Sequence, residues 1–172
     1  VYTKGSVICM DEAELRKHRC CFTGHRPEKL TISEKHAATL LEMEIRKAVD
    51  RQFTTFISGM AKGTDLIASE IVLRLRERDS RLKLIAAIPY PDFGLHWNGS
   101  WTERFQAVLS AADLKRCICP RFSYDSYQAR NEWMVNHSSL VIAVFNGGAG
   151  GTKNTLDYAR RKGVECIIID GK

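Results

Sequence analysis

Thr54-Thr55-Phe56-Ile57-Ser58-Gly59-Met60-Ala61-Lys62-Gly63-Thr64-Asp65 decides the fold. Its first five residues are a short strand pattern. Two glycines then turn the chain, and Thr64 is placed to cap a helix. In that helix Ile67, Ile71 and Arg74 share one face, and Ala68, Val72 and Leu75 another. A strand that turns through glycines into a helix presents unpaired backbone N–H groups beside the positive end of the helix dipole. That arrangement suits a phosphate or another anion.

The same arrangement recurs once, and a third, polar turn accompanies it. Asn146-Gly147-Gly148-Ala149-Gly150-Gly151-Thr152 follows the apolar run Leu140–Phe145, and Thr152 is expected to cap the helix that runs on to about Lys162, where Gly163 stops it. Gly24-His25-Arg26-Pro27 follows a strand at Arg19–Thr23. Three such turns in one small domain point to a single site built from several loops.

Between these turns the chain alternates strand and helix about six times. A helix follows the capping box Thr31-Ile32-Ser33-Glu34, with Leu41, Ile45 and Ala48 on one face. Leu82–Ile88 is a strand closed by Pro89 and Pro91. A loop carrying Phe93, His96 and Trp97 leads to a second capping box, Ser100-Trp101-Thr102-Glu103. Arg116–Cys119 reads as a short strand, Asp125-Ser126-Tyr127-Gln128 as a third capping box, and Val164–Ile169 as the last strand. The strands are mostly continuous apolar runs rather than alternating ones, which indicates burial on both faces. The expected fold class is therefore α/β: a Rossmann-like, doubly wound, mostly parallel sheet in a single domain over residues 19–172. Residues 1–18 have no clear period and read as a leader, mobile on this reading.

Composition bounds the function. At 172 residues, 44% apolar and 27% charged, the chain is a soluble globular domain rather than a disordered one. No membrane-length apolar run or signal peptide is visible, so a cytoplasmic location is expected. The net charge of +6 favours anionic ligands. Its basic residues are scattered, which fits a solvated surface better than a nucleic-acid stripe. Cysteines stand at 9, 20, 21, 117, 119 and 166 with no CxxC pair. They read as reduced, small apolar residues and not as a metal site.

In the first turn, Ser58, Gly59, Gly63 and Thr64 are expected to cradle an anion with Lys62 as a point charge, while Asp65 begins the helix. The bland alternative is a well-capped connection. In the second, Asn146, Gly147, Gly148, Gly150, Gly151 and Thr152 contain more glycine than a connection needs, so close ligand approach is expected. It is neither a Walker loop nor the dinucleotide fingerprint. Gly24, His25 and Arg26 form the third candidate group: Arg26 can grip phosphate bidentately and His25 can hydrogen-bond. Arg130 and Asn131 either face the site or are solvated. Trp133 and Met134 read as core, and His96 and Trp97 either as a lid or as a packed cover. No nucleophile–base pair stands out, so catalytic residues are unknown.

Cys21 through Pro27, Ser58 through Asp65, Arg130-Asn131 and Gly147 through Thr152 together resemble the YpsA-like family of the SLOG superfamily, named for the Smf/DprA and LOG proteins. The resemblance covers about residues 19–170. It implies a Rossmann-like domain that binds a nucleotide or a nucleotide derivative, and a regulatory sensor with no required cofactor. Two alternatives come with it: LOG-type hydrolysis of a nucleoside monophosphate, and DprA-type binding of single-stranded DNA. LOG enzymes carry a catalytic glutamate three residues after the threonine of their Gly-Gly-x-Gly-Thr motif, and Thr155 occupies that position here. The expected partner is a phosphorylated, nucleotide-like small molecule. Nucleic acid is the lesser alternative, no membrane is involved, and self-association stays open.

Overall fold

The computed structural model describes residues 11–172. Of the leader expected at 1–18, residues 1–10 lie outside the described residues. The rest departs from expectation, because Glu12–Lys17 is a helix, α1. It is tied down through Arg16, whose Nε donates to the Ser138 carbonyl at 2.9 Å, and through the Lys17 carbonyl, which accepts from Ser139 Oγ at 3.1 Å.

Five further helices and six strands follow in alternation. The strands are β1 (Arg19–Gly24), β2 (Thr55–Ser58), β3 (Lys83–Ile88), β4 (Leu114–Cys117), β5 (Leu140–Phe145) and β6 (Glu165–Asp170). The helices are α2 (Glu34–Asp50), α3 (Thr64–Arg76), α4 (Trp101–Ala111), α5 (Asp125–Asn136) and α6 (Gly151–Arg161). Every strand pairing is parallel, in the order β4-β3-β2-β1-β5-β6.

That order explains the layers. From β1 the chain steps outward to β4, then returns to the other side of β1. Right-handed crossovers made in opposite directions place their helices on opposite faces. One core accordingly joins Phe22, Phe56, Leu84 and Ile142 to α2, α3 and α4. The other joins Cys21, Ile57, Ile85 and Val141 to α5 and α6. Alternate residues of one strand serve different cores, so the central strands read as unbroken apolar runs.

The edge behaves differently. β4 begins two residues before the expected Arg116 and is exposed throughout, because only β3 flanks it. Lys115 and Arg116 therefore cost nothing there, and the apolar-run rule could not frame the strand. Cys20 and Cys21 are buried as expected, but Cys117 is exposed; the described cysteines are all free thiols.

The caps also differ. Ser33, not Thr31, caps α2, with its Oγ accepting from His36 N at 3.1 Å. Thr102 turns back to hold the preceding loop, accepting from Trp97 N at 3.0 Å. Ser126 serves the Ser123 amide in the same way, at 3.0 Å. The caps of α3 and α6 are Gly63 (φ +86°) and Gly150 (φ +134°), not Thr64 and Thr152. Gly163 closes α6 at φ +68°, a left-handed stop.

Candidate functional site

In an all-parallel sheet, each turn that leaves a strand lies at the carboxyl end. Gly24, Gly59 and Gly147 are gathered there by that rule alone. The winding reverses between β1 and β5, which are neighbours with Gly24 opposite Val144. At such a switch point, crossovers diverge to opposite faces and leave a crevice. A cleft of about 420 Å³ opens here.

Of the residues expected at a site, Gly24, His25, Arg26, Lys62, Asp65, Arg130, Asn131, Gly151 and Thr152 line this cleft. Arg26 is exposed at its rim, and Lys62 Nζ lies 5.3 Å over the Trp97 ring. Gly151 and Thr152 begin α6. The Gly150 cap offers no side-chain acceptor, and α6, unlike every other described helix, has no acidic residue in its first turn. Its positive end meets the cleft uncompensated.

The other expected residues build the frame. Ser58 Oγ does not face a ligand: it donates to the Asp65 carbonyl and accepts from Met60 N, each at 3.1 Å, and is fully buried. That clamp holds Met60 in a left-handed conformation, φ +62°. Gly63 backs onto the Pro27 ring, where a Cβ would come within 2.8 Å of Cδ. Gly24 is pressed on Thr64, whose Oγ1 donates to the His25 carbonyl at 3.4 Å. Asn146, Gly147 and Gly148 lie outside the cleft wall. Asn146 folds its own turn by accepting from Gly148 N at 2.8 Å, and its amide donates to the Lys29 carbonyl at 2.6 Å.

Arg130 is buried rather than solvated. Its guanidinium donates to the Gly59 carbonyl and, at 2.9 Å, to Asn131 Oδ1, and it lies 5.9 Å over Phe93. Asp65 faces the same spot, since a Cβ on Gly59 would meet Arg130 Nη1 at 2.5 Å and Asp65 Oδ2 at 2.8 Å. Burial pushes the Asp65 carboxyl up to about 6, against the pull of Arg130 and of the Ala61 N–H that it accepts at 3.2 Å. Burial likewise lowers Arg130. A cation and a carboxyl held this way knit the β2 turn to α5.

His25 is buried against Phe145, ring centroids 5.3 Å apart, and its Nε2 has no hydrogen-bond partner. Burial lowers its pKa, reinforced by Lys29, so the ring is neutral near pH 7. A buried imidazole with an unmet polar atom beside a cleft is the kind of group a ligand satisfies.

Sequence reasoning missed Lys29, Phe93 and Tyr127 as lining residues and left Trp97 undecided; all four line the cleft. Phe93 and Trp97 follow β3, and Tyr127 begins α5, so the winding order alone brings them to the carboxyl end. His96 is exposed, and Met134 is core as expected. Thr155 is fully buried and donates to the Gly151 carbonyl at 2.8 Å inside α6. Asp65 and Glu28 are the carboxylates on the cleft. Among the described residues no three His, Cys, Asp or Glu side chains are grouped to hold a metal ion. No helix there is long and apolar enough to cross a membrane.

Known proteins share this fold. The chain is 29% identical over 147 residues to the uncharacterized SPbeta prophage-derived protein YoqJ of Bacillus subtilis (strain 168), covering 78% of this chain and 84% of that protein. DNA processing protein A from Streptococcus pneumoniae superposes with a TM-score of 0.66 at 21% identity, over 92% of this chain and 52% of that one. The Helicobacter pylori protein of that name, in a structure describing its single-stranded DNA binding mode, gives 0.59 at 19% identity, over 91% of this chain and 66% of that one. The chain thus spans about half to two thirds of those proteins, and at such identities the likeness is one of fold. The family model described as the YspA SLOG family matches residues 20–170, a range that takes in all three glycine turns: the chain belongs to that family.

Proposed function

We propose that this chain binds a nucleotide or a nucleotide derivative in the cleft and acts as a cytoplasmic sensor of it, without turnover. The observation that carries the reading is the amino end of α6, capped by glycine and free of acidic residues, opening on a cleft whose lining includes Arg26 and Lys62. Phosphate belongs at such an end. Trp97 and Tyr127 supply flat apolar surface for a base on the same cleft, and His25, whose Nε2 is unmet, is part of its wall. The reading requires no cofactor.

The arrangement argues against LOG-type hydrolysis. Stabilising an oxocarbenium-like centre and activating water need a free carboxylate. Thr155, at the position of the LOG glutamate, has none and is consumed inside α6, and Asp65 is engaged in the β2 turn; the free carboxylate on the cleft, Glu28, comes from the β1 turn and does not stand at that position. The Helicobacter protein's single-stranded DNA binding motivates the other alternative. Binding of that kind should weaken steeply as salt rises, and only weak binding is expected at physiological salt.

The test is a thermal-shift and calorimetric screen of the purified chain against nucleoside mono- and diphosphates, with products followed by chromatography. Saturable binding with unchanged ligand supports the reading. Rapid release of free base, or tight strand binding at physiological salt, overturns it.

A further inference from the structure

The aromatic side chains of the cleft do not stop at its mouth. Phe93 meets Trp97 at 5.1 Å and Tyr90 at 5.6 Å between ring centroids. Tyr90 and Tyr127 share a hydrogen bond of 3.0 Å between their hydroxyls. Tyr90 then meets Phe122 at 5.1 Å, and Phe122 meets Tyr124 at 5.5 Å. The row begins in the buried wall and ends in water, with Phe122 53% and Tyr124 87% exposed. Arg26 lines the same cleft as Tyr127, the ring to which Tyr90 is hydrogen-bonded.

Two exposed rings in edge-to-face contact, at the end of a row leading out of a ligand cleft, offer an open stacking surface. The cleft itself, at about 420 Å³, lies toward the small end of ligand sites, which span roughly 300–1,000 Å³. It has room for one nucleotide and little more. The large exposed apolar side chains among the described residues include no aromatic besides Phe122 and Tyr124, so the surface serves one further base and not a track of them.

We infer that Phe122 and Tyr124 form a second base subsite, and that the ligand is a small molecule with two nucleosides joined through phosphate. One base would lie against Trp97 and Tyr127, the bridging phosphates against Arg26 and the α6 amino end, and the second base on the outer rings. This rests on the nucleotide-binding reading above.

The test compares ADP with diadenosine diphosphate, two adenosines joined through a pyrophosphate, by calorimetry on the full chain. It includes the Phe122→Ala/Tyr124→Ala double variant and a twenty-residue oligothymidylate. Both side chains are surface groups, and thermal unfolding of the variant verifies its fold. The expected result is that diadenosine diphosphate binds the parent at least tenfold more tightly than ADP. The variant loses that advantage and keeps the parent's affinity for ADP. Equal affinity of the parent for the two ligands overturns the inference while leaving the nucleotide reading intact. So does a variant that weakens both ligands alike. If neither ligand binds, the underlying reading fails along with it. If the oligothymidylate binds tightly, salt-dependently, and is lost in the variant, the outer rings belong to a nucleic-acid path and the two-base small molecule is refuted.

Discussion

Gly151→Ala separates the fold from the site better than any other single change. Gly151 is the first residue of α6 and, unlike Gly150, does not have a positive φ. A Cβ built there meets nothing nearer than Asn131 Nδ2, at 3.9 Å, which is ordinary contact. The protein therefore accepts the methyl. Replacing glycine at a compatible position restricts the unfolded chain and stabilises by about 0.4–1 kcal/mol. In a domain of this size that raises Tm by roughly 1–4 °C. Gly151 and Asn131 both line the cleft, so the methyl is added at the cleft wall beside the head of α6. A phosphate seated on those amides would lose close approach. The interaction at stake is a charged hydrogen bond of about 1.5–3 kcal/mol, so Kd for ADP should rise roughly 10- to 150-fold. Thermal unfolding without ligand and calorimetry with ADP should thus move in opposite directions. An unchanged Kd beside a raised Tm would show that the anion does not sit on α6. A lowered Tm would show that the backbone at Gly151 needs glycine after all.

Arg26→Ala should weaken ADP binding by about 1.5–3 kcal/mol while leaving Tm within a degree or so, because Arg26 is exposed; calorimetry and melting together check both halves. Gly59→Ala should cost about 1–3 kcal/mol of stability, since its Cβ would enter the space of Arg130 and Asp65, neither of which can retreat to solvent; a denaturant midpoint no lower than the parent's would contradict the packing. Asp65 sets a pH dependence. Its folded value of about 6 lies above the ordinary 3.8, so the native state holds this proton more tightly than the unfolded chain. Its contribution is complete below pH 3.8 and is lost as pH rises through 6. The parent should therefore lose about 2–3 kcal/mol relative to Asp65→Asn between pH 4 and pH 7, read from paired denaturation curves; parallel curves would refute the assignment.

The fold was legible where both faces of a strand are covered. Arg19–Thr23, Thr54–Ser58, Leu82–Ile88 and Leu140–Phe145 fall on β1, β2, β3 and β5 to within a residue or two at either end. β4 was misplaced because both of its faces are exposed and its residues, Lys115 and Arg116 among them, make no apolar run; β6, the other edge, does make one and was placed to within a residue. The helix starts were read from Thr64 and Thr152, but glycines took the cap positions, and the threonine at 64 was recruited to brace a neighbouring turn. For the site, the glycine turns pointed to the end of the sheet where the cleft opens, yet glycine in a turn has two causes. At Gly59 an added Cβ would strike protein packed behind the backbone and at Gly63 that packing joins a positive φ, whereas at Gly151 a Cβ would meet nothing nearer than 3.9 Å. One chain of letters does not distinguish them. Phe93 and Tyr127 were illegible for another reason: local periodicity does not say which loops meet.

The close packing of Gly24 on Thr64 and of Gly63 on Pro27 has a mechanical meaning. The β1 and β2 turns are interlocked and, with Arg130 wedged behind Gly59, form the fixed jaw of the cleft. The β5 turn is backed more lightly: added Cβ groups on Gly147 and Gly150 would meet only lysine amines, at 3.9 and 3.8 Å, and the turn is tied to its neighbour by the Asn146 amide on the Lys29 carbonyl. On the nucleotide-binding reading, the side with more room to adjust is that of the β5 turn. Since the β5 turn runs straight into α6 and lies beside Lys172, movement of the free jaw would be felt along the α6 face and at the end of β6.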